Sequence, residues 1–328
     1  MPNRISKRKI LIGVIILLLT IVMIYSGFQI LKPTVLLNSS EAGESAAPTK
    51  TIVRDGIKYF PRQDITVFLI AGIDQSGPVK DSGSYNNEGA ADMVMLAVFD
   101  ETAKKYDILC LNRDTIVEMP ILGLGGKKAG TTIGQLALAH TYGSGLEDSC
   151  ENLKETVSSF LGGIKIDYYL SMNMDAIGIM NDAVGGVRVN VTDDFSAIDA
   201  TLKKGEVVLN AAQARTFVQT RQGLGDQLNL SRMERHREYM DGMTDALAEK
   251  INTQDTFVIE SYQDICEYIV TDCSVNSLSA MLNRYVDFTR GQIISPEGEN
   301  KQGGEFMEFH VDEDKLERLV LDLFYSKK

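Results

Sequence analysis

The stretch ITVFLIAGID, Ile65 to Asp74, decides the fold. It is uncharged until it ends on an acid and is rich in β-branched and aromatic residues, the pattern of a buried strand. DMVMLAVFD (Asp92–Asp100) reads as a second strand, this one starting from an acid, and YDILCL (Tyr106–Leu111) as a third. The short ETAKK link makes the last two a hairpin, and a polar, Gly-rich loop joins the first two. The strand ends around that loop carry Asp74, Asp92 and Arg113. Arg113-Asp114-Thr115 taken alone is ordinary turn chemistry or a strand-end ion pair.

Working outward, TTIGQLALAHTYGSG reads as a helix ending at Gly143, and LEDSCENLKETVSSFLGG as an amphipathic helix stopped by Gly162-Gly163. A strand (IDYYLSMNM), a short helix (DAIGIMNDAVGG) and another strand (VRVNV) follow. LNAAQARTFVQTRQG is a helix with Asn210 as its N-cap, and NLSRMERHREYMDGMTDALAEKI is the longest helix candidate. The stretch from Asp255 to Thr289 reads as two helices, SPEGENKQGGE as a flexible link, and the C-terminus as a short strand and a final helix. Alternating strands and helices make the class α/β, a mixed central β-sheet flanked by helices.

The N-terminus predicts a membrane anchor. Arg4, Lys7, Arg8 and Lys9 precede Ile10–Leu31, a run with no charged residue, which as a helix would span roughly 33 Å against a hydrocarbon core of ~30 Å. The basic flank places residues 1–9 in the cytoplasm and everything after the run outside, giving a single-pass protein of the cell membrane. Residues 32–55 are a linker rich in Ser, Ala, Pro and Glu, residues 56–252 the main domain, and residues 253–328 a helical extension packed on it. Beyond the anchor, 29 Lys+Arg stand against 45 Asp+Glu, a formal charge of −16. Such a surface repels nucleic acid. Cys110, Cys150, Cys266 and Cys273 form no metal-binding spacing; Cys110 reads as a buried strand residue.

Carboxylates at strand ends, together with arginines at a strand end (Arg113), a helix end (Arg221) and a helix start (Arg232), suggest phosphoryl transfer, where protein groups mainly position and neutralise phosphates. Asp74 and Asp92 suit a hard divalent cation, and equally suit loop caps. Arg232, Arg235, His236 and Tyr239 share one helical side, an anion site or simply a solvated basic face.

The ordered blocks FLIAGID, ADMVML, LNRDTIVEMP, LALAHTYG, IDYYLSMNMDAIGIMNDAVGGVRVNV, LNAAQARTFVQTR and SRMERHREYM, from about Ile65 to Leu247, resemble the LytR-CpsA-Psr family of Gram-positive bacteria. The resemblance implies a Mg²⁺- or Mn²⁺-dependent extracytoplasmic phosphotransferase. Its partners would be an undecaprenyl-pyrophosphate-linked glycopolymer and peptidoglycan at the membrane. It also implies roles. Asp74 and Asp92 match the metal-associated carboxylates, and Arg113, Arg221 and Arg232 the pyrophosphate-binding arginines, with Asp114 orienting Arg113 in the catalytic pair. Gln135, Gln219 and His236 stand where the family often has Lys, Arg and Gln, and Ala90 and Asn229 replace a frequent Arg and Asp. These departures remove positive charge and keep open a non-catalytic polyprenyl-pyrophosphate or glycan binder; a transcriptional attenuator fits the acidic, extracytoplasmic domain less well. An apolar channel for the lipid would be lined by Leu136, Leu138, Ile177, Ile179 and Met180, residues that serve equally as core.

Overall fold

The structure, a computed structural model, describes residues 51–220, 229–254, 257–273, 281, 284–285, 288–304 and 306–327. The apolar run expected as an anchor lies outside them; among the described residues no helix is long and apolar enough to cross a membrane.

In chain order, β1 (Ile52–Arg54) and β2 (Ile57–Pro61) form a hairpin that precedes β3 (Ile65–Ile73), β4 (Ala91–Asp100) and β5 (Lys105–Leu111). The ribbon β6 (Ile116–Leu122) and β7 (Lys128–Gln135) leads through a 3-10 segment, Leu136–Tyr142, to α1 (Glu147–Phe160). Then come β8 (Tyr168–Asn173), α2 (Met174–Ala183), the hairpin β9 (Val187–Val191) and β10 (Gly205–Leu209), α3 (Ala211–Gln219), α4 (Asn229–Thr253) and α5 (Phe257–Ile265). The chain ends with β11 (Ile269–Thr271), β12 (Thr289–Ile294), the hairpin β13 (Gly298–Gly303) and β14 (Phe306–Val311), α6 (Glu313–Phe324) and β15 (Tyr325–Lys327).

The central mixed sheet runs β11-β8-β3-β4-β5-β12. Because β-strand side chains alternate between faces, one uninterrupted apolar strand can serve two cores. Val67, Leu69, Ala71 and Ile73 of β3 join Val94, Leu96, Val98, Leu109 and Leu111 on one face, beneath α1 and the 3-10 segment. Phe68 and Ile70 join Met95, Phe99, Tyr106 and Ile108 on the other. Each fully buried Leu here contributes roughly 1.5–3 kcal/mol. A third core packs the β9–β10 hairpin against α2, α3 and α4 through Val187, Val189, Phe195, Phe217, Met243 and Leu247. Gly242 permits that packing, since a Cβ there would stand 2.1 Å from the Arg188 carbonyl oxygen.

Local signals behave as their chemistry dictates. Asn210 caps α3 in a capping box with Gln213, and Asn173 caps α2 through the Asp175 and Ala176 amides. Gly162 and Gly163, at φ 78° and 81°, carry the chain out of α1.

Several expectations are corrected. Thr131–Gln135 is strand, and only Leu136–Tyr142 turns into a helix of 3-10 type, because β6 supplies a hydrogen-bonding partner no local pattern reveals. The stretch expected as two helices does contain α5 and, later, the helical residues Met281, Arg284 and Tyr285, but it also forms β11 between them, and Thr289–Ile294 becomes β12; the last third thus supplies both edges of the central sheet. All four cysteines are free. The expected flexible link is β13, and β15 pairs with β2, tying the two ends of the described chain together.

Candidate active site

β3 and β5 run antiparallel to β4 and β8 runs parallel to β3, so the C-terminal ends of β3, β5 and β8 and the start of β4 meet at one edge. Asp74, Arg113, Asn173 and Asp92 lie there. The β4–β5 register, Val94 opposite Leu111, continues to place Asp92 opposite Arg113. The β3–β4 register shifts between Gly72 and Ile73 and leaves Asp92 as the extra residue of a bulge, a device that re-aims a side chain.

The result is a buried ion-pair cluster. Arg113 is 8% exposed and Asp92 6% exposed, and the Arg113 Nη1 contacts Asp92 Oδ1. Arg113 Nε lies 3.3 Å from Asp114 Oδ1, to which Gln135 Nε2 also donates at 3.0 Å. Gln135 donates further to the Met307 carbonyl at 2.8 Å. The turn itself is pinned by backbone bonds from Ala137 to the Arg113 carbonyl (3.0 Å) and from Phe309 to the Asp114 carbonyl (2.8 Å). A guanidinium held by two carboxylates is fixed in direction.

Asp74 is exposed, and its Oδ1 accepts from Gln219 Nε2 at 3.0 Å. His236 bonds the Val218 carbonyl through Nε2 at 2.8 Å. Gln219, His236 and Asp92 all border an apolar cavity of about 150 Å³. Its floor is the sheet face bearing Ile70, Gly72 and Ile108, and its roof is α2 and α4. Met93, Met95, Met172, Met180, Met240 and Met243 line it, giving an adaptable apolar wall.

The expected lipid-channel residues divide. Ile177 and Met180 line this cavity, whereas Ile179 packs on the third core. Leu136 is fully buried in the core on the opposite sheet face and Leu138 packs against it, so neither can reach the cavity. Arg221 and the Arg232 side chain lie outside the described residues. Arg235 and Tyr239 do not form a solvated face. Arg235 is 4% exposed, pairs with Asp193 at 2.6 Å and donates to the Phe217 carbonyl at 2.9 Å, while Tyr239 is buried in the third core. Helical spacing grouped these two correctly, but the β9–β10 hairpin covers that side.

Among the described residues no group of three or more His, Cys, Asp or Glu side chains could hold a metal. Asp74 and Asp92, the latter already paired with an arginine, would need phosphate and water to complete the shell of a Mg²⁺ ion.

Three further polar groups emerge only in the structure. Arg215 donates to Asp175 Oδ1 at 2.6 Å and to Ser76 Oγ at 3.1 Å, fastening α3 to the loop after Asp74. His140 is buried and bonds the Gly89 carbonyl through Nδ1 at 2.7 Å, supporting the loop that leads into Asp92. Burial lowers its pKa to about 4. The Tyr106 hydroxyl, at the opposite end of β5, is buried without a hydrogen-bond partner. An apolar strand gives no hint that its tyrosine is so placed.

The LytR_cpsA_psr family model matches residues 35–322. A Bacillus subtilis protein named polyisoprenyl-teichoic acid--peptidoglycan teichoic acid transferase TagU is 25% identical over 196 residues, 59% of this chain and 56% of that protein. The chain thus spans little more than half the length of that relative. An Enterococcus faecalis protein of the same name is 26% identical over 266 residues, 78% of this chain and 77% of its own. Among solved structures, Bacillus subtilis TagV superposes with a TM-score of 0.60 at 22% identity, covering 80% of this chain and 96% of that one. TagT bound to LIIa-WTA superposes with a TM-score of 0.58 at 21% identity, covering 80% and 90%. With a family model spanning nearly the whole chain and the same fold in those structures, the protein belongs to the LytR-CpsA-Psr family.

Proposed function

We propose that this protein is an extracytoplasmic phosphotransferase that moves an anionic glycopolymer from an undecaprenyl-pyrophosphate carrier to peptidoglycan. The observation that carries the reading is a preorganised arginine whose ion-pair partner, Asp92, borders the polar end of a methionine-lined apolar cavity. A polyprenyl diphosphate has this same division, a charged head and an apolar tail. The names of the relatives, which couple polyisoprenyl-linked teichoic acid to peptidoglycan, support it.

In this reading the diphosphate lies at the strand-end edge and the tail in the cavity. A peptidoglycan hydroxyl attacks the glycopolymer-linked phosphorus, the bond to the bridging oxygen breaks, undecaprenyl phosphate leaves, and the hydroxyl's proton passes to that phosphate or to water. Arg113, oriented by Asp92 and Asp114, offsets the charge that grows on the leaving phosphate; its direction is set before the reaction, so little reorganisation is needed. Arg221 and Arg232 are proposed as further diphosphate contacts. Gln135 fixes Asp114, and Gln219 fixes Asp74. Asp74 and Asp92 would hold a divalent cation, which when bound supplies electrophilic stabilisation to phosphate oxygens.

The test is turnover of a polyprenyl-pyrophosphate-linked sugar by the full chain and by Arg113→Gln, with thermal melting to confirm folding. Loss of at least about a hundredfold in turnover is expected for a donor to developing charge. Unchanged turnover in a folded variant would remove Arg113 from the reaction.

A further inference from the structure

The apolar cavity has a second polar end, which the proposed reaction does not use. Tyr106 is the second residue of β5 and Arg113 lies just past the last, so they are separated by roughly 23 Å at ~3.3 Å per residue. At the Tyr106 end, β12 pairs with β5 and sets Arg290 opposite Tyr106. The Arg290 Nη1 is ion-paired with Asp241 Oδ1 of α4, joining the cavity's roof to its floor, and both residues line it. Their side chains are 37% and 45% exposed, so the pair faces water on its outer side. Behind it Tyr106 is 1% exposed, its hydroxyl unpartnered, although buried hydroxyls normally find a partner. Directly after Arg290 the β12 register shifts, before Ile293 resumes pairing. The backbone carrying the arginine is therefore not locked into a continuous ladder.

We propose that the Arg290–Asp241 pair is a latch over the far end of the lipid channel, that it opens to let a long polyprenyl tail pass out, and that the Tyr106 hydroxyl receives Arg290 when it does. The inference rests on the polyprenyl-diphosphate reading above. An undecaprenyl tail is longer than the roughly 23 Å between the two polar ends and must leave through a second opening. A half-exposed ion pair is screened and adds little net stability, so an apolar chain can displace it. The freed guanidinium would then satisfy the phenol oxygen that the closed state leaves without a partner. Arg290, Asp241 and Tyr106 are thus residues that set lipid length, separate from those that set the chemistry.

The experiment measures the Kd of geranyl, farnesyl, geranylgeranyl and undecaprenyl diphosphate for the full chain in detergent, for Asp241→Asn and for Tyr106→Phe. Asp241→Asn, which releases the latch, should tighten undecaprenyl diphosphate by about two- to fivefold, the range an exposed ion pair supplies, and leave geranyl diphosphate unchanged. Tyr106→Phe removes the open-state partner and should weaken undecaprenyl diphosphate alone; opposite signs from two substitutions at one end exclude general destabilisation. If the wild-type chain binds every diphosphate and both variants keep its length dependence, the latch is refuted and the site reading stands. If the wild-type chain binds none of them, both fall.

Discussion

His140 offers the sharpest test of the packing behind the site. Its Nδ1 faces the Gly89 carbonyl, which can only accept, so Nδ1 carries the proton; Nε2 is buried without a partner. Protonating Nε2 would create an unpaired charge in the core, and desolvation accordingly holds the folded pKa at about 4. An unfolded histidine titrates near ~6.5. The folded state therefore binds fewer protons between these values, and stability must fall as pH drops through about 6.5, levelling off below about 4. Linkage between the two pKa values gives a loss of about 2 kcal/mol from this group between about pH 7.5 and about pH 5. Replacing the ring by Phe abolishes that component while costing about 1–3 kcal/mol at neutral pH, because the Gly89 carbonyl loses its donor. Urea denaturation of wild type and His140→Phe at both pH values checks the prediction. The drop on acidification should be about 2 kcal/mol smaller in the variant. Equal drops would show that His140 is not held neutral, and that the loop into Asp92 is supported otherwise.

Two more outcomes follow from the same neighbourhood. Asn87 is buried, donates to the His140 and Gly143 carbonyls at 2.9 Å each and accepts from the Gly89 amide at 2.7 Å. Asn87→Ala should cost at least about 1–3 kcal/mol in the same urea assay, through carbonyls left without donors. Asp92→Leu leaves a buried guanidinium with one carboxylate fewer and should cost about 3–5 kcal/mol, whereas the double variant Asp92→Leu/Arg113→Met should recover much of that loss. A double variant less stable than the single one would show that Asp92 and Arg113 act on stability independently.

How far the site was legible depends on the range of the forces that build it. The amphipathic helix from Glu147, the Asn210 cap and the Gly162-Gly163 stop are fixed by neighbours in the chain, so local pattern suffices. The three apolar strands and their hairpin were equally plain, because strands that serve two cores can carry few polar side chains. The meeting of Asp92 and Arg113 follows from reading the ETAKK hairpin as antiparallel, since extending its register pairs them directly.

Sequence alone determined the α/β class, the family and the strand ends where the charges gather, since periodicity, caps and block order are properties of the chain itself. Tertiary structure decided the rest. It made Gln135 the end of a strand, sent Leu136 and Leu138 to the wrong side of the sheet for a channel, buried Arg235 beneath a hairpin, and drew β11 and β12 from the last third to complete the sheet. Each of those outcomes depends on a partner far away in the chain. A side chain's surroundings are set by which distant backbone hydrogen-bonds or packs beside it, and no window of neighbouring residues carries that information.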